Sequence, residues 1–179
     1  MPKKHSAVLF VLLLAAVPCA SSQRVDWDMK DAQVVSQPIG SLPAQDQQGI
    51  SKRLNLKPVE LLAMQVKTAS GHIFLVQSVY SPMWCGAASN CAFWILSSDY
   101  KVLLSKVTQS FKLQASMHHG HPDILTYMHG SATEASLSYW QFQGRRYVRV
   151  TCADAEYGDG DGYIYKKPHI SPHPCGTGG

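Results

Sequence analysis

Turn signals recur so closely between residues 58 and 152 that only hairpins fit between them. Ala69-Ser70-Gly71, Ser98-Asp99, His119-Gly120-His121-Pro122, Gly130-Ser131 and Gln143-Gly144 separate runs of apolar and β-branched residues. A parallel crossover needs a dozen or more residues, so neighbours joined this tightly are antiparallel. The runs are Val59–Lys67, His72–Tyr80, Cys91–Ser97, Lys101–Ser105, Ser110–Ala115, Asp123–Met128, Ala135–Phe142 and Arg146–Cys152. Leu137 and Tyr139 share one face, and Val148 and Val150 oppose Tyr147 and Arg149. The expectation is a mainly β (α+β) fold: an antiparallel meander of about eight strands, curled or two-layered. Ile50 and Leu54, at i, i+4 spacing after Pro43, add one short amphipathic helix over about residues 43–55, which Gly49 weakens.

The N-terminus sets the chemistry open to the cysteines. Lys3, Lys4 and His5 precede an apolar run from Ala7 to Val17, then Pro18 and small residues, which reads as a secretory signal over residues 1–22. Cleavage after Ala20 or Ser22 fits. The run is too short for a transmembrane helix. Pro18 before Cys19 argues against a lipid-modified mature N-terminus. The expected location is periplasmic or secreted. Losing Lys3 and Lys4 takes the basic count from 16 to 14 against 12 acidic residues, a net charge of +2. That is too weak to point to nucleic acid or an anionic membrane surface.

Four cysteines remain: Cys85, Cys91, Cys152 and Cys175. An even number in an exported chain reads as two disulfides. The local pairing Cys85–Cys91 and Cys152–Cys175 is favoured among three. The expected division is an irregular arm over 23–41, one β-rich domain over 42–152, and a Gly/Pro-rich tail over 153–179 stapled by its disulfide. Such a tail lacks the apolar residues to order itself.

Four stretches offer chemistry. Trp84-Cys85-Gly86-Ala87-Ala88-Ser89 resembles the nucleophile segment of papain-like cysteine peptidases, in which the Cys opens a helix. The resemblance implies Cys85 as nucleophile, with His129 and Asp154 as the base and its orienting acid. Cys91 is close enough to trap Cys85, and Phe93, Trp94 and Ile95 favour a strand where that family has a helix. His118-His119-Gly120-His121-Pro122-Asp123 could ligate zinc or copper, but reads as a hairpin tip with solvated histidines, Asp123 capping its own loop. Asp154-Ala-Glu156-Tyr-Gly-Asp159-Gly-Asp161 alternates acids with glycine as calcium loops do, without the EF-hand spacing. Gly120 to Asp123 with His129-Gly130-Ser131-Ala132 reads as turn chemistry at one end of the sheet. Ser131 lacks a nucleophile-elbow context. No cofactor, resident metal or catalytic residue is assigned.

The order Cys85-Gly-Ala-x-x-Asn90-Cys91-x-x-Trp94, Tyr100-x-x-Leu103-Leu104, Gly120-x-x-Asp123, His129-x-Ser131-Ala132 and Tyr139-x-x-Phe142-x-Gly144-x-x-Tyr147 resembles small exported bacterial proteins without an assigned activity. It spans about residues 42–152 and implies a periplasmic or secreted single domain, with no substrate. The expected function is a non-catalytic cell-envelope binding protein, an inhibitor or a glycan-binding module, and a monomer. Its partner would be an envelope protein or glycan, met by exposed aromatics such as Tyr80, Trp84 and Tyr127. The alternatives are a cysteine peptidase using Cys85 and a periplasmic metal-binding protein using the His118–His121 tip.

Overall fold

The structure is a computed structural model that describes residues 25–86, 88–158 and 164–176. Among the described residues the chain is mainly β, with two antiparallel sheets, one of them curled into a half-barrel, one α-helix and two short 3-10 turns. The first sheet runs β1 (Leu61–Thr68), β2 (Gly71–Ser78), β3 (Cys91–Ser97), β4 (Val102–Thr108) in chain order. The second runs β5 (Ser110–His118), β6 (His121–His129), β7 (Glu134–Phe142), β8 (Tyr147–Gly158), β9 (Ile164–His173). The eight expected strands are all present. The meander follows from the short turns: His119 and Gly120 take φ of 49° and 78°, the left-handed pair that a two-residue hairpin requires.

The first sheet is buried on both faces. Ile73, Leu75, Phe93 and Ile95 point at the second sheet and meet Phe111, Ile124, Trp140 and Phe142 there. Phe74, Val76 and Leu96 point the other way and are covered by Ile39 and by Ile50 of α1 (Ala44–Leu54). Two-sided burial explains why Ile73-Phe74-Leu75-Val76 is uninterruptedly apolar rather than alternating. Gly49 has a packing reason: a Cβ there would lie 2.3 Å from the Tyr100 ring, whose hydroxyl donates to Asp46 at 2.8 Å.

The N-terminal arm docks along its described length. Val25, Trp27 and Met29 pack on the outer face of the second sheet, against a cluster that includes Leu125, Leu137 and Ala153. Lys112 Nζ holds the Asp26 carboxylate at 2.7 Å and the Asp28 carbonyl at 2.6 Å. The arm then enters the seam between the sheets. Gln33 pairs with Phe111 at the β5 edge, Val35 enters the core, and Pro38 bridges to Leu62 at the β1 edge.

Beyond Cys152 the structure differs from the expected irregular tail. β8 continues to Gly158, and β9 pairs with it from Cys152↔His173 to Gly158↔Ile164. Pro168 and Pro172 misled the sequence reading because proline suits an edge strand, where its missing N–H faces away from the ladder; Pro174 follows the strand's end. Both disulfides, Cys85–Cys91 and Cys152–Cys175, are present. The expected signal segment, and Asp159 to Gly162 of the acidic loop, lie outside the described residues.

Candidate functional site

The seam opposite the arm is open. There the free edge of β4 faces the second sheet across a groove of about 520 Å³, walled by Val102–Lys106 on one side and Arg146–Arg149 on the other. A smaller compartment of about 200 Å³ continues it past Lys106 and Val107 to Thr126, Met128 and Ser138. Trp140 lies between the two. Its indole N–H donates to Thr126 Oγ1 at 2.9 Å, and Lys106 Nζ and the Arg149 guanidinium lie 5.5 and 5.9 Å from its ring. These spacings are within reach of cation–π attraction. Arg149 also donates from Nη2 to the Gly176 carbonyl at 3.1 Å. The Cys152–Cys175 bond brings that carbonyl to the rim, so the disulfide shapes the groove as well as tying β9 to β8. Among the described residues the lining holds Lys106, Arg146 and Arg149 and no carboxylate. Lys106 and Arg146 give this concave surface positive charge, which attracts anions.

A second polar constellation sits at the β5–β6 tip. Asp123 is fully buried and accepts three side-chain hydrogen bonds: from Ser116 Oγ at 2.6 Å, Tyr139 OH at 2.5 Å and His118 Nδ1 at 2.7 Å. The expected role for Asp123, capping its own loop, is replaced by this network. Burial, then the Asp123 carboxylate, pushes the Tyr139 hydroxyl above its ordinary range; the same causes raise Tyr147, whose hydroxyl donates to the Pro122 carbonyl. The histidines of the tip separate. His118 joins Asp123, His119 is exposed, and His121 is buried against Phe142 with Nε2 3.4 Å from Ser70 Oγ. Among the described residues His121 Nδ1 has no hydrogen-bond partner, and burial lowers the His121 pKa. The expectation of three solvated imidazoles therefore holds only for His119. Among the described residues no three His, Cys, Asp or Glu side chains are placed to hold a metal ion.

The cysteine loop is a clamp between sheets. Trp84 to Gly86 returns antiparallel to Asn90 to Ala92, with Gly86 N–H donating to the Asn90 carbonyl at 3.0 Å and Ala92 N–H to the Trp84 carbonyl at 3.0 Å. Cys85 bridges antiparallel to Cys91, where strand β3 begins. Asn90 reaches the second sheet and pairs with His129 as a backbone strand would. Its Nδ2 donates to the His129 carbonyl at 2.8 Å, and its Oδ1 accepts from the His129 N–H at 2.9 Å. The residues implied by the peptidase resemblance have other partners. Cys85 is buried in its disulfide, the His129 ring stacks on Tyr127, and the exposed Asp154 carboxylate lies 3.2 Å from His173 Nε2. Tyr80 is exposed, and Trp84 and Tyr127 are half-buried.

The groove was not visible in the sequence, because Lys106, Trp140 and Arg149 come from three strands and match no motif. The one available signal was the cluster Arg145-Arg146 beside Arg149 in a chain of low net charge. No family model, curated protein or solved structure matches the chain.

Proposed function

We propose that this protein is an exported, non-catalytic binding domain whose ligand presents anionic groups to the groove between β4 and the start of β8. The observation that carries the reading is the cationic lining of that groove, Lys106 and Arg146, with no acidic side chain among its described residues. Two disulfides support a periplasmic or extracellular location, since such bonds persist in oxidising compartments. No helix among the described residues is long and apolar enough to cross a membrane. An envelope protein or a glycan with acidic groups is the partner class, and kinship with small exported bacterial domains is part of the same proposal.

The test is a titration of oxidised protein against anionic, neutral and basic polymers, followed by calorimetry. Binding restricted to the anionic ligands, weakened at least tenfold by the double variant Lys106→Glu/Arg146→Glu, is the expected result; it should also weaken as salt rises. Equal binding by the double variant with an unchanged melting temperature would place the ligand elsewhere.

A further inference from the structure

The two sheets have four edge strands, and three of them are protected. The β5 edge is paired by Gln33, which exchanges backbone hydrogen bonds with Phe111 at 2.7 and 2.9 Å. The β1 edge is met by the arm, where Ala63 N–H donates to the Gln37 carbonyl at 2.9 Å and Pro38 bridges to Leu62. The β9 edge carries Pro168 and Pro172, which have no N–H to offer. The β4 edge is neither paired by the arm nor interrupted by proline among the described residues; a bulge opposite Ile95 and Leu96 shortens it, and Lys106 lies on it. It pairs with β3 on one side, and its other side is the wall of the groove.

A free strand edge presents a row of unpaired N–H and C=O groups, which is the template for adding another strand. The register shift opposite Ile95 and Leu96 turns both Leu103 and Leu104 into the core, so the regular stretch of this edge is Leu104–Thr108. Val107 and Met128 are exposed beside it and supply apolar contact. The charge around the edge selects the occupant, because Lys106 and Arg146 line the groove in which an added strand would lie. Trp140 argues against a sugar ring. It is 5 % exposed and flanked by two cations, leaving no open aromatic face for stacking.

We infer that the partner is an extended acidic polypeptide segment, which adds as a strand to the free edge of β4 and sets its carboxylates against Lys106 and Arg146. Main-chain hydrogen bonds would supply affinity and the cations would select sequence, as in other strand-addition complexes. This inference rests on the anionic-groove reading proposed above and names its ligand.

The experiment uses the full oxidised chain and a labelled peptide of alternating glutamate and valine, read by fluorescence anisotropy. Two further peptides carry the same side chains, with N-methyl groups on alternate residues in one register or the other. An acidic oligosaccharide is the fourth probe. The expected result is binding of the parent peptide, a loss of at least tenfold for one N-methylated register only, and a loss of at least tenfold with Lys106→Glu/Arg146→Glu. If both N-methylated peptides bind like the parent, or the oligosaccharide binds and the peptides do not, strand addition is overturned while the anionic groove stands. If no anionic probe binds, both readings fall together.

Discussion

Asp123 shows how a residue legible as a turn former becomes the centre of a buried network. Gly120-His121-Pro122-Asp123 has the composition of a turn, and the turn is there, closed by His119 and Gly120. The partners of the carboxylate were hidden, since Ser116 and Tyr139 lie 7 and 16 positions away and meet it only through the strand register. A fully buried carboxylate is tolerated when its acceptor sites are filled, and removing it strands the donors. Asp123→Ala is therefore expected to lower unfolding free energy by about 3 kcal/mol, in the range of broken buried networks. Denaturant titration measures this, and a change below about 1 kcal/mol would mean that the network contributes little. His121 makes a prediction of a different kind. Burial holds its folded pKa below the ordinary 6.5, so the unfolded chain binds this proton more readily. Stability is then complete above pH 6.5 and falls as pH drops towards the folded value. Among the described residues the ring meets Ser70, Phe142 and Tyr147 and no carboxylate, so His121→Gln should remove that part of the slope between pH 7 and 5. Equal slopes for the two proteins would contradict the assignment.

Elements were read from the sequence most accurately where turns were short and faces alternated. β2 and β3 were found by apolar content, and their two-sided burial became clear only when α1 and the second sheet were both in place. β9 was missed because Gly and Pro were weighed as breakers, when an edge strand tolerates proline. The arm was read as irregular, and nothing in residues 25–38 named the surface on which it docks. That surface depends on Lys112, which meets Asp26 and Asp28 from 86 and 84 positions away. The Lys112 hydrogen bond, then the Asp28 backbone N–H, holds the Asp26 carboxyl below its ordinary 3.8. A lowered carboxyl pKa contributes stability above pH 3.8 that is lost as pH falls through the folded value. Hydrogen exchange across residues 25–31 should quicken selectively below pH 4, and Lys112→Ala should produce the same quickening at neutral pH. Unchanged protection of the arm in Lys112→Ala would show that packing by Trp27 and Met29 suffices to dock it.

At the scale of the molecule, two sheets share one core and the chain closes its own openings. The arm clasps the seam between β1 and β5, Asn90 pins the cysteine loop to β6, and the hairpin tips meet where Ala69 N–H donates to the Gly120 carbonyl at 3.0 Å. The seam along β4 is left open, and its lining is cationic. Closing the 23-residue separation between Cys152 and Cys175 contributes about 3.5 kcal/mol in the chain-entropy account, and it also fixes Gly176 against Arg149 at the groove's rim. Fold class and disulfide pairing were legible because turns and cysteines act locally. The groove was not, because its cations come from strands that only the assembled sheets bring together. Backbone amide shifts of labelled, oxidised protein, followed while the glutamate–valine peptide is added, test the groove most directly. Shifts concentrated on Val102–Val107 and Arg146–Arg149, with the arm at residues 25–29 and β9 unmoved, are the predicted result; shifts centred on the outer face of the second sheet, or none at saturating peptide, would contradict it.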